Sequence, residues 1–424
     1  MKFKIITSKI CKIKFSNFSY HIFHLKYKIF AVTALIFLNN NFLDSQPSDY
    51  LKGKAFEIKN QPDSAIFYFS IILKKESSDP KMYLARGNAF YQKQNYLLAI
   101  DDYENANKLY PDIADFELSK CYARMGDLTK TIDLLKKHLV SRNKQPQVLI
   151  RMDKAFARFE NSQEWKDLWK NDWYDKYDSQ VGEARFMIND KDWMGAINFI
   201  SDILKNESRR HELLYYRAKA FYEMDNYATA INDYTQAINV NKHLFEYFDG
   251  RADAFIKLNK NKEALSDITK AINLAPDEFT LYLKRAETYL SMGDYDFAKS
   301  DVDIYLSLFE KDSTALYLSG RINKASGNYL NALTNFNFLI NSYPIVAKYY
   351  LARGETYEKT NMVPNALKDY NSCLKIEPEN IIALRKRGQL LLNKGEKKAA
   401  CEDFRKAMNL GDFQSNILFL DHCK

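Results

Sequence analysis

The sequence predicts an all-α superhelical solenoid of about eleven helix–turn–helix units, closed by a C-terminal capping helix. Three observations predict it: a ladder of small residues with a near-constant period, a large residue at a fixed offset from each rung, and a composition poor in turn formers. The 424 residues include only 13 Gly and 9 Pro, against 46% hydrophobic and 27% charged residues. That balance argues against a loop-rich all-β chain and for a folded one.

The first ladder reads Ala65, Ala99, Thr131, Trp165, Ala196, Ala230, Ala264, Ala298, Ala332, Ala366 and Ala400, with steps of 34, 32, 34 and 31, then 34 six times. A second lies twelve residues upstream of each rung: Gly53, Gly87, Ser119, Asp153, Ala184, Ala218, Ala252, Ala286, Gly320, Gly354 and Gly388. Small residues let paired helices approach closely. A large residue one turn after the second-helix rung, such as Phe69, Tyr103, Tyr234, Phe336, Tyr370 or Phe404, falls on the same face. Pro111, Pro276, Pro344 and Pro378 mark the ends of second helices, where no further amide donor is needed.

Residues 1–45 read differently. Seven Lys and one acid, Asp44, precede or flank the apolar run Ile29–Leu38, and polar Asn39–Asn41 follow it. Basic region, short apolar core and polar exit is the pattern of a signal peptide. Ten apolar residues make about 15 Å of helix, half of a roughly 30 Å hydrocarbon core. A retained N-terminal anchor is the alternative. The net charge of +8 comes mostly from this segment, because residues 46–424 hold 55 basic and 53 acidic residues. The body lacks the excess that phosphate neutralisation needs, so nucleic acid is not an expected partner.

Six units share a further pairing. Arg86, Arg217, Arg251, Arg285, Arg353 and Arg387 sit just before the first-helix rung. Asp102, Asp233, Asp267, Asp301, Asp369 and Asp403 follow sixteen residues later. The other five units have neither: Lys52/Tyr68, Leu118/Leu134, Met152/Leu168, Glu183/Phe199 and Ser319/Asn335. Loss and retention together predict a direct ion pair between helices, in which the planar guanidinium fork matches a carboxylate. The alternative is a basic groove of six Arg.

The period fails at residues 145–176, where Asp153 and Trp165 occupy both small-residue rungs and the four Trp (Trp165, Trp169, Trp173, Trp193) cluster. A continuous helix would put the first three on one face, either as a core stripe or as an exposed aromatic anchor. The expected organisation is thus 1–45 signal peptide or anchor, 46–144 units one to three, 145–176 a divergent Trp-rich unit or hinge, 177–413 units five to eleven, and 414–424 a capping helix.

The segments YLARGNAFYQKQNYLLAIDDYENANKLYP (Tyr83–Pro111) and YYRAKAFYEMDNYATAINDYTQAI (Tyr215–Ile238) resemble the tetratricopeptide-repeat family. The resemblance covers residues 46–413. It implies a scaffold that binds other proteins, with partner segments held on a concave surface lined by first-helix side chains. The positions it implies are Asn88, Tyr91, Lys120, Arg185, Tyr215, Lys219, Tyr222, Asp249, Asp253, Glu287, Tyr317, Arg321, Glu355 and Arg385. They form signed bands, basic from Lys120 to Lys219 and acidic from Asp249 to Glu287. These are either a groove for an extended, charge-complementary segment or simply solvated charges. The Lys/Asn set that some family members use to clamp a carboxyl terminus is not complete here.

The C-terminal segment after Gly411 offers Phe413, Ile417 and Leu420 as an apolar face for a cap. An antiparallel return would bring Cys423 towards Cys401. ACEDFRKAMNLGD with a terminal His-Cys resembles the ends of exported repeat proteins of the Bacteroidetes type, which leaves a Cys401–Cys423 disulfide or two free thiols. Cys121 and Cys373 read as buried thiols. No zinc spacing, nucleophile elbow or phosphate loop occurs, so no cofactor, metal or catalytic residue is expected. The function read from the sequence is a non-catalytic scaffold of the cell envelope or exterior, with a membrane-anchored assembly factor as the alternative.

Overall fold

In ten units the first helix carries a small rung that faces a buried large residue sixteen positions later, a ring in six of them (Phe69, Tyr103, Tyr234, Phe336, Tyr370, Phe404) and Leu135, Ile200, Ile268 or Val302 in the other four, and this sets the architecture. The computed structural model describes residues 47–76, 78–141 and 144–423. Residues 1–45, with the signal-or-anchor reading, lie outside that range. Among the described residues there are 23 α-helices and no strand.

The first three units pair α1 (Asp49–Ile58) with α2 (Pro62–Lys75), α3 (Pro80–Gln92) with α4 (Tyr96–Leu109), and α5 (Asp115–Met125) with α6 (Leu128–Val140). The fourth holds only α7 (Gln147–Met152), a single 3-10 turn (Ala157–Phe159) and α8 (Gln163–Leu168). Regular pairs resume with α9 (Lys176–Asn189) and α10 (Trp193–Leu204), α11 (His211–Glu223) and α12 (Tyr227–Val240), then α13 (Phe245–Lys257) and α14 (Asn261–Leu274). They continue with α15 (Thr280–Met292) and α16 (Tyr295–Leu308), α17 (Ser313–Ala325) and α18 (Tyr329–Ser342), α19 (Ala347–Lys359) and α20 (Val363–Ile376), then α21 (Ile381–Asn393) and α22 (Lys397–Asn409). Helix α23 (Phe413–His422) ends the chain. The first helix of each pair is called helix A and the second helix B.

The turn between A and B repeats as strictly as the rungs. One residue per turn, seven after the first rung, adopts the left-handed conformation: Asn60, Gln94, Gly126, Lys191, Asp225, Asn259, Gly293, Gly327, Asn361 and Gly395. Its position closes helix A by returning amides to the last carbonyls, as Gln61 N–H does to Phe56 O at 2.9 Å. The fourth unit has no such residue, and its helices stop at six residues each.

Six arginines brace three helices each. In every case Nε and Nη2 donate to the two oxygens of the Asp sixteen residues on, with distances of 2.6–2.9 Å across the pairs Arg86–Asp102, Arg217–Asp233, Arg251–Asp267, Arg285–Asp301, Arg353–Asp369 and Arg387–Asp403. Nη1 of the same guanidinium donates backwards to helix B of the preceding unit: Ser70, Ser201, Thr235, Thr269, Asn337 and Asn371, each sixteen residues upstream. The Arg thus ties its own helix A to two helices B. The Asp carboxylates are buried, and burial pushes those of Asp102 and Asp301 up against the opposing pull of their Arg. Units without the pair fill the place otherwise. Asn335 Nδ2 donates to Ser319 Oγ at 2.9 Å, Lys52 lies over the Tyr68 ring, and Leu118 with Leu134 joins the apolar core.

The divergent unit does not form the continuous helix that would align its tryptophans, because α8 ends at Leu168. Trp165, Trp169 and Trp173 nevertheless share one core with Phe156, Phe159 and Leu168. Trp165 stacks on Phe156 and meets Trp169 edge-on, and Trp173 Nε1 donates to Leu168 O at 2.7 Å. Trp193 belongs instead to the next core, between α10 and α11.

Two contacts close the array. Leu51 and Ala55 of α1 are buried with Phe279, the N-cap of α15, and Leu308 of α16, both of the eighth unit. Lys54 Nζ lies 3.6 Å from Asp277, and Lys59 lies over the Phe309 ring. One superhelical turn therefore returns onto its own start. At the other end, Cys401 and Cys423 form a disulfide with their Cα atoms 5.6 Å apart. The cap is rotated from the expected face: Phe413, Ile417 and Leu420 are exposed, whereas Ser415 is buried and Leu418 and Phe419 are half-buried. Asp412 sets this orientation. It accepts from Ser415 N–H and O–H and pairs with Arg385, which pins the first turn by its polar side.

Replacing Asp267 with Ala leaves the Arg251 guanidinium short of its carboxylate at a helix interface. Chemical denaturation of this variant is expected to show a loss of about 3 kcal/mol, and a loss below 1 kcal/mol would show that the brace contributes little. Cys423→Ser releases a loop of 22 residues. Amide exchange within 413–422 is expected to speed up far more than exchange in α11–α14, with the cap losing about 2–3 kcal/mol.

Candidate functional site

Successive helices A approach one another closely (α9 to α11, α11 to α13, α15 to α17, α17 to α19), whereas outside the divergent unit successive helices B do not. Helices A therefore line the inner, concave side of the curve, and their side chains meet across units about 34 residues apart.

Most charged positions on this face are already paired. Arg124 Nε donates to Tyr91 Oη at 3.3 Å, and Lys120 lies over the Tyr91 ring while pairing with Glu117 at 3.5 Å. Asn88 Oδ1 accepts from the Tyr103 hydroxyl at 2.8 Å, a contact that belongs to the core of its own unit. Arg185 Nε donates to Tyr216 Oη at 2.8 Å. Glu287 pairs with Arg321 at 2.6 Å, Glu355 with Lys324, and Arg385 with Asp412 at 2.7 Å. Tyr317 packs between Phe336 and Tyr349 with Arg321 and Lys348 over its ring. The expected acidic band is thus neutralised by cross-unit ion pairs with Lys284 and Arg321, whereas the basic band meets Glu117 of its own helix and the tyrosines Tyr91, Tyr216 and Tyr215.

The structure gathers five of the expected positions around one cavity of about 230 Å³ between α11 and α13. Tyr215, Lys219 and Tyr222 come from α11, and Asp249 and Asp253 from α13; Glu223, Tyr234, Glu246 and Gly250 complete the lining. Lys284 Nζ, one unit further on, bridges Asp249 and Asp253, at 2.8 Å from the latter. Burial pushes the Asp253 carboxyl up, and Lys284 pulls it back down. Burial also raises the Tyr215 hydroxyl to about 12, and Tyr215 contacts the rings of Tyr216, Tyr234 and Tyr247. Lys219 lies over the Tyr215 ring and makes no ion pair among the described residues.

Sequence reasoning missed Glu246, Tyr234, Gly250 and Lys284 as parts of this site. Glu246 lies a further turn and a half before the rung, and Tyr234 is a core ring by pattern. Gly250 and Lys284 share the position two before the rung; the signal there is the one glycine among larger residues in neighbouring units, Tyr216 and Lys284.

Two histidines, His138 and His211, have structural partners. His138 Nε2 accepts from Gln145 N–H at 2.8 Å, and His211 Nδ1 shares a hydrogen bond with the Tyr247 hydroxyl at 2.7 Å; burial lowers the pKa of both. Burial raises the Cys121 and Cys373 thiols to about 12 and about 11, which keeps them protonated. Among the described residues no group of three or more His, Cys, Asp or Glu is placed to hold a metal ion, and no helix is long and apolar enough to cross a membrane.

The Asp253–Lys284 balance is directly measurable. Asp253 is expected to titrate above the ordinary Asp value by NMR, and Lys284→Met to move it higher still, because the desolvation and the neighbouring Asp249 charge are then opposed only by the weaker pull of Lys257. A downward movement would contradict the geometry.

Comparison with known proteins agrees with this architecture. Models described as tetratricopeptide repeat match residues 50–112, 84–146, 212–241, 246–278, 347–380 and 386–410. Among solved structures, a tetratricopeptide-repeat protein from Parabacteroides merdae is 21% identical, with a TM-score of 0.50 over 57% of this chain and 97% of that one. The C-terminal part of a repeat protein from Cytophaga hutchinsonii is 15% identical, with a TM-score of 0.46 over 57% of this chain and 99% of the other. YrrB, described as having an unusual peptide-binding site, is 17% identical, with a TM-score of 0.38 over 44% of this chain and 97% of its own. With repeat matches across more than half of its length, helical hairpins in series and a shared rung period, the chain belongs to the tetratricopeptide-repeat family.

Proposed function

We propose that this chain acts in the cell envelope or outside the cell, where its inner face grips an extended segment of a partner protein. The family membership makes it a protein-interaction scaffold of a typically non-catalytic kind. The observation that carries the groove reading is the interruption at α11–α13. Elsewhere the inner-face side chains are taken up by ion pairs, hydrogen bonds and ring contacts, whereas here a cavity stays open between tyrosine rings and carboxylates. Extended peptides bind well to such surfaces, since regularly spaced side chains meet pockets of matching spacing.

Two features support an exported location. The first 45 residues have the order of an export signal, and the Cys401–Cys423 bond needs an oxidising compartment to persist. The second reading, a membrane-anchored assembly factor, is favoured by the apolar run at residues 29–38 behind its basic flank. Carbonate extraction of native membranes separates the two: only the anchored form stays with the pellet.

The groove reading is tested by co-purification from the producing cell. A chain carrying Asp249→Lys, Asp253→Lys and Glu287→Lys, checked for a native circular-dichroism spectrum, is expected to lose at least one partner that the unmodified chain retains. Recovery of every partner at unchanged yield would exclude the groove as the binding face.

A further inference from the structure

The cavity between α11 and α13 has a chemical preference that the fold makes legible. Three units place a tyrosine as the ring over the helix-A rung: Tyr103, Tyr234 and Tyr370. Two of the three hydroxyls are satisfied internally, Tyr103 donating to Asn88 Oδ1 at 2.8 Å and Tyr370 to Glu358 Oε2 at 2.7 Å. In the unit of Tyr234 the positions of Asn88 and Glu358 are held by Lys219 and Tyr222, and neither bonds to it. Tyr234 is 2% exposed, yet its hydroxyl has no hydrogen-bond partner among the described residues. It faces the cavity because the residue over it is Gly250, where a Cβ would lie 2.7 Å from the hydroxyl oxygen. The corresponding residues over Tyr103 and Tyr370 are Glu117 and Lys386.

A second orphan lines the same cavity. Glu246 Oε2 is shielded from solvent and accepts no hydrogen bond. A shielded acceptor of this kind costs stability when left unpaired, and a polar ligand recovers that cost, while the Tyr234 hydroxyl opens to the cavity and is free to bond with what enters it. Their surroundings decide its charge. The lining carries the carboxylates of Glu223, Glu246, Asp249 and Asp253, against Lys219 and the adjacent Lys284. Lys284 already shows that this surface holds a cation, and it occupies only Asp249 and Asp253. Glu223 and Glu246 have no ion pair among the described residues. Burial holds the Tyr234 phenol neutral, so its oxygen remains an acceptor as well as a donor.

We infer that this cavity receives an arginine side chain of the partner segment: the guanidinium donates to Glu246 and the Tyr234 oxygen and lies against the rings of Tyr215 and Tyr222. A planar cation with five N–H donors meets both orphans at once and is attracted by the ring faces. This deepens the groove reading and rests on it.

The test uses the full chain and two acetylated, amidated tripeptides, Gly-Arg-Gly and its citrulline counterpart, which keeps the shape and loses the charge. Calorimetric or NMR titration is expected to show saturable binding of the arginine peptide that weakens with salt, and citrulline binding about tenfold weaker or absent. Tyr234→Phe and Glu246→Gln are each expected to weaken the arginine peptide about fivefold or more. Tyr234→Phe is also expected to leave the melting temperature unchanged or raised, because the hydroxyl it removes has no internal partner. Equal binding of the two peptides, no saturation with arginine, or unchanged affinity in both variants would overturn the assignment. Native partners keep the two readings apart. If Tyr234→Phe and Glu246→Gln retain every partner while the triple charge reversal loses one, the arginine site falls and the groove stands. If the triple reversal also retains them all, both fall.

Discussion

The array depends on how closely helix B can press a large side chain against the backbone of helix A, and the contact is tightest where a ring meets glycine. At Gly53, Gly87, Gly320, Gly354 and Gly388, an added Cβ would lie 2.5–2.8 Å from the ring sixteen residues ahead. Phe69, Tyr103, Phe336, Tyr370 and Phe404 are therefore buried to within about 1% of completely because the rung opposite them is bare. That contact sets the separation within a unit. A second one, the arginine fork, sets the relation between units, because one planar group reaches carboxylate oxygens on one helix B and a hydroxyl or amide on the previous helix B. Removing a ring would cost packing, whereas removing one side of the brace would leave charge behind. The two contacts thus act on different faces of the same helix.

With the outer layers fixed in this way, the inner face is free to vary. Its side chains differ widely along the array: Tyr91 with Lys120, Arg185 with Tyr216, Asp253 with Lys284, Glu287 with Arg321. Ion pairs and cation–tyrosine contacts about one period apart leave few groups on this face uncommitted. The opening between α11 and α13 stands out against that background, where a glycine replaces the covering side chain, the shielded Glu246 Oε2 lacks a donor and the Tyr234 hydroxyl meets the cavity. Variation on an inner face and constancy beneath it is what a scaffold for partners of specific chemistry needs.

The irregular fourth unit shows how far the pattern tolerates failure. Asp153 and Trp165 are too large for the rungs, and the turn has no left-handed residue, so neither helix extends beyond six residues. The core survives because aromatic area replaces close backbone approach: Phe156, Trp165 and Trp169 fill the space that a rung and ring occupy elsewhere.

The helical period, the rungs, the paired Arg and Asp and the neighbourhood of Cys401 and Cys423 are legible in the sequence, because each is a local or one-period relation that repeats, and repetition makes a weak signal visible. Relations without a repeat are not legible there. The contact of α1 with Phe279 and Leu308 depends on curvature summed over many units. The face of α23 depends on Asp412 and Arg385, which override its apolar stripe. The cavity depends on the single Gly250 and on a core ring whose hydroxyl happens to lack a partner. By itself the sequence determined the unit, its repetition and its internal braces. The tertiary structure alone decided where the turn closes, which cap face is used and which inner-face charges remain to meet a partner, since those follow from distances between residues hundreds of positions apart or from contacts made at one unit only.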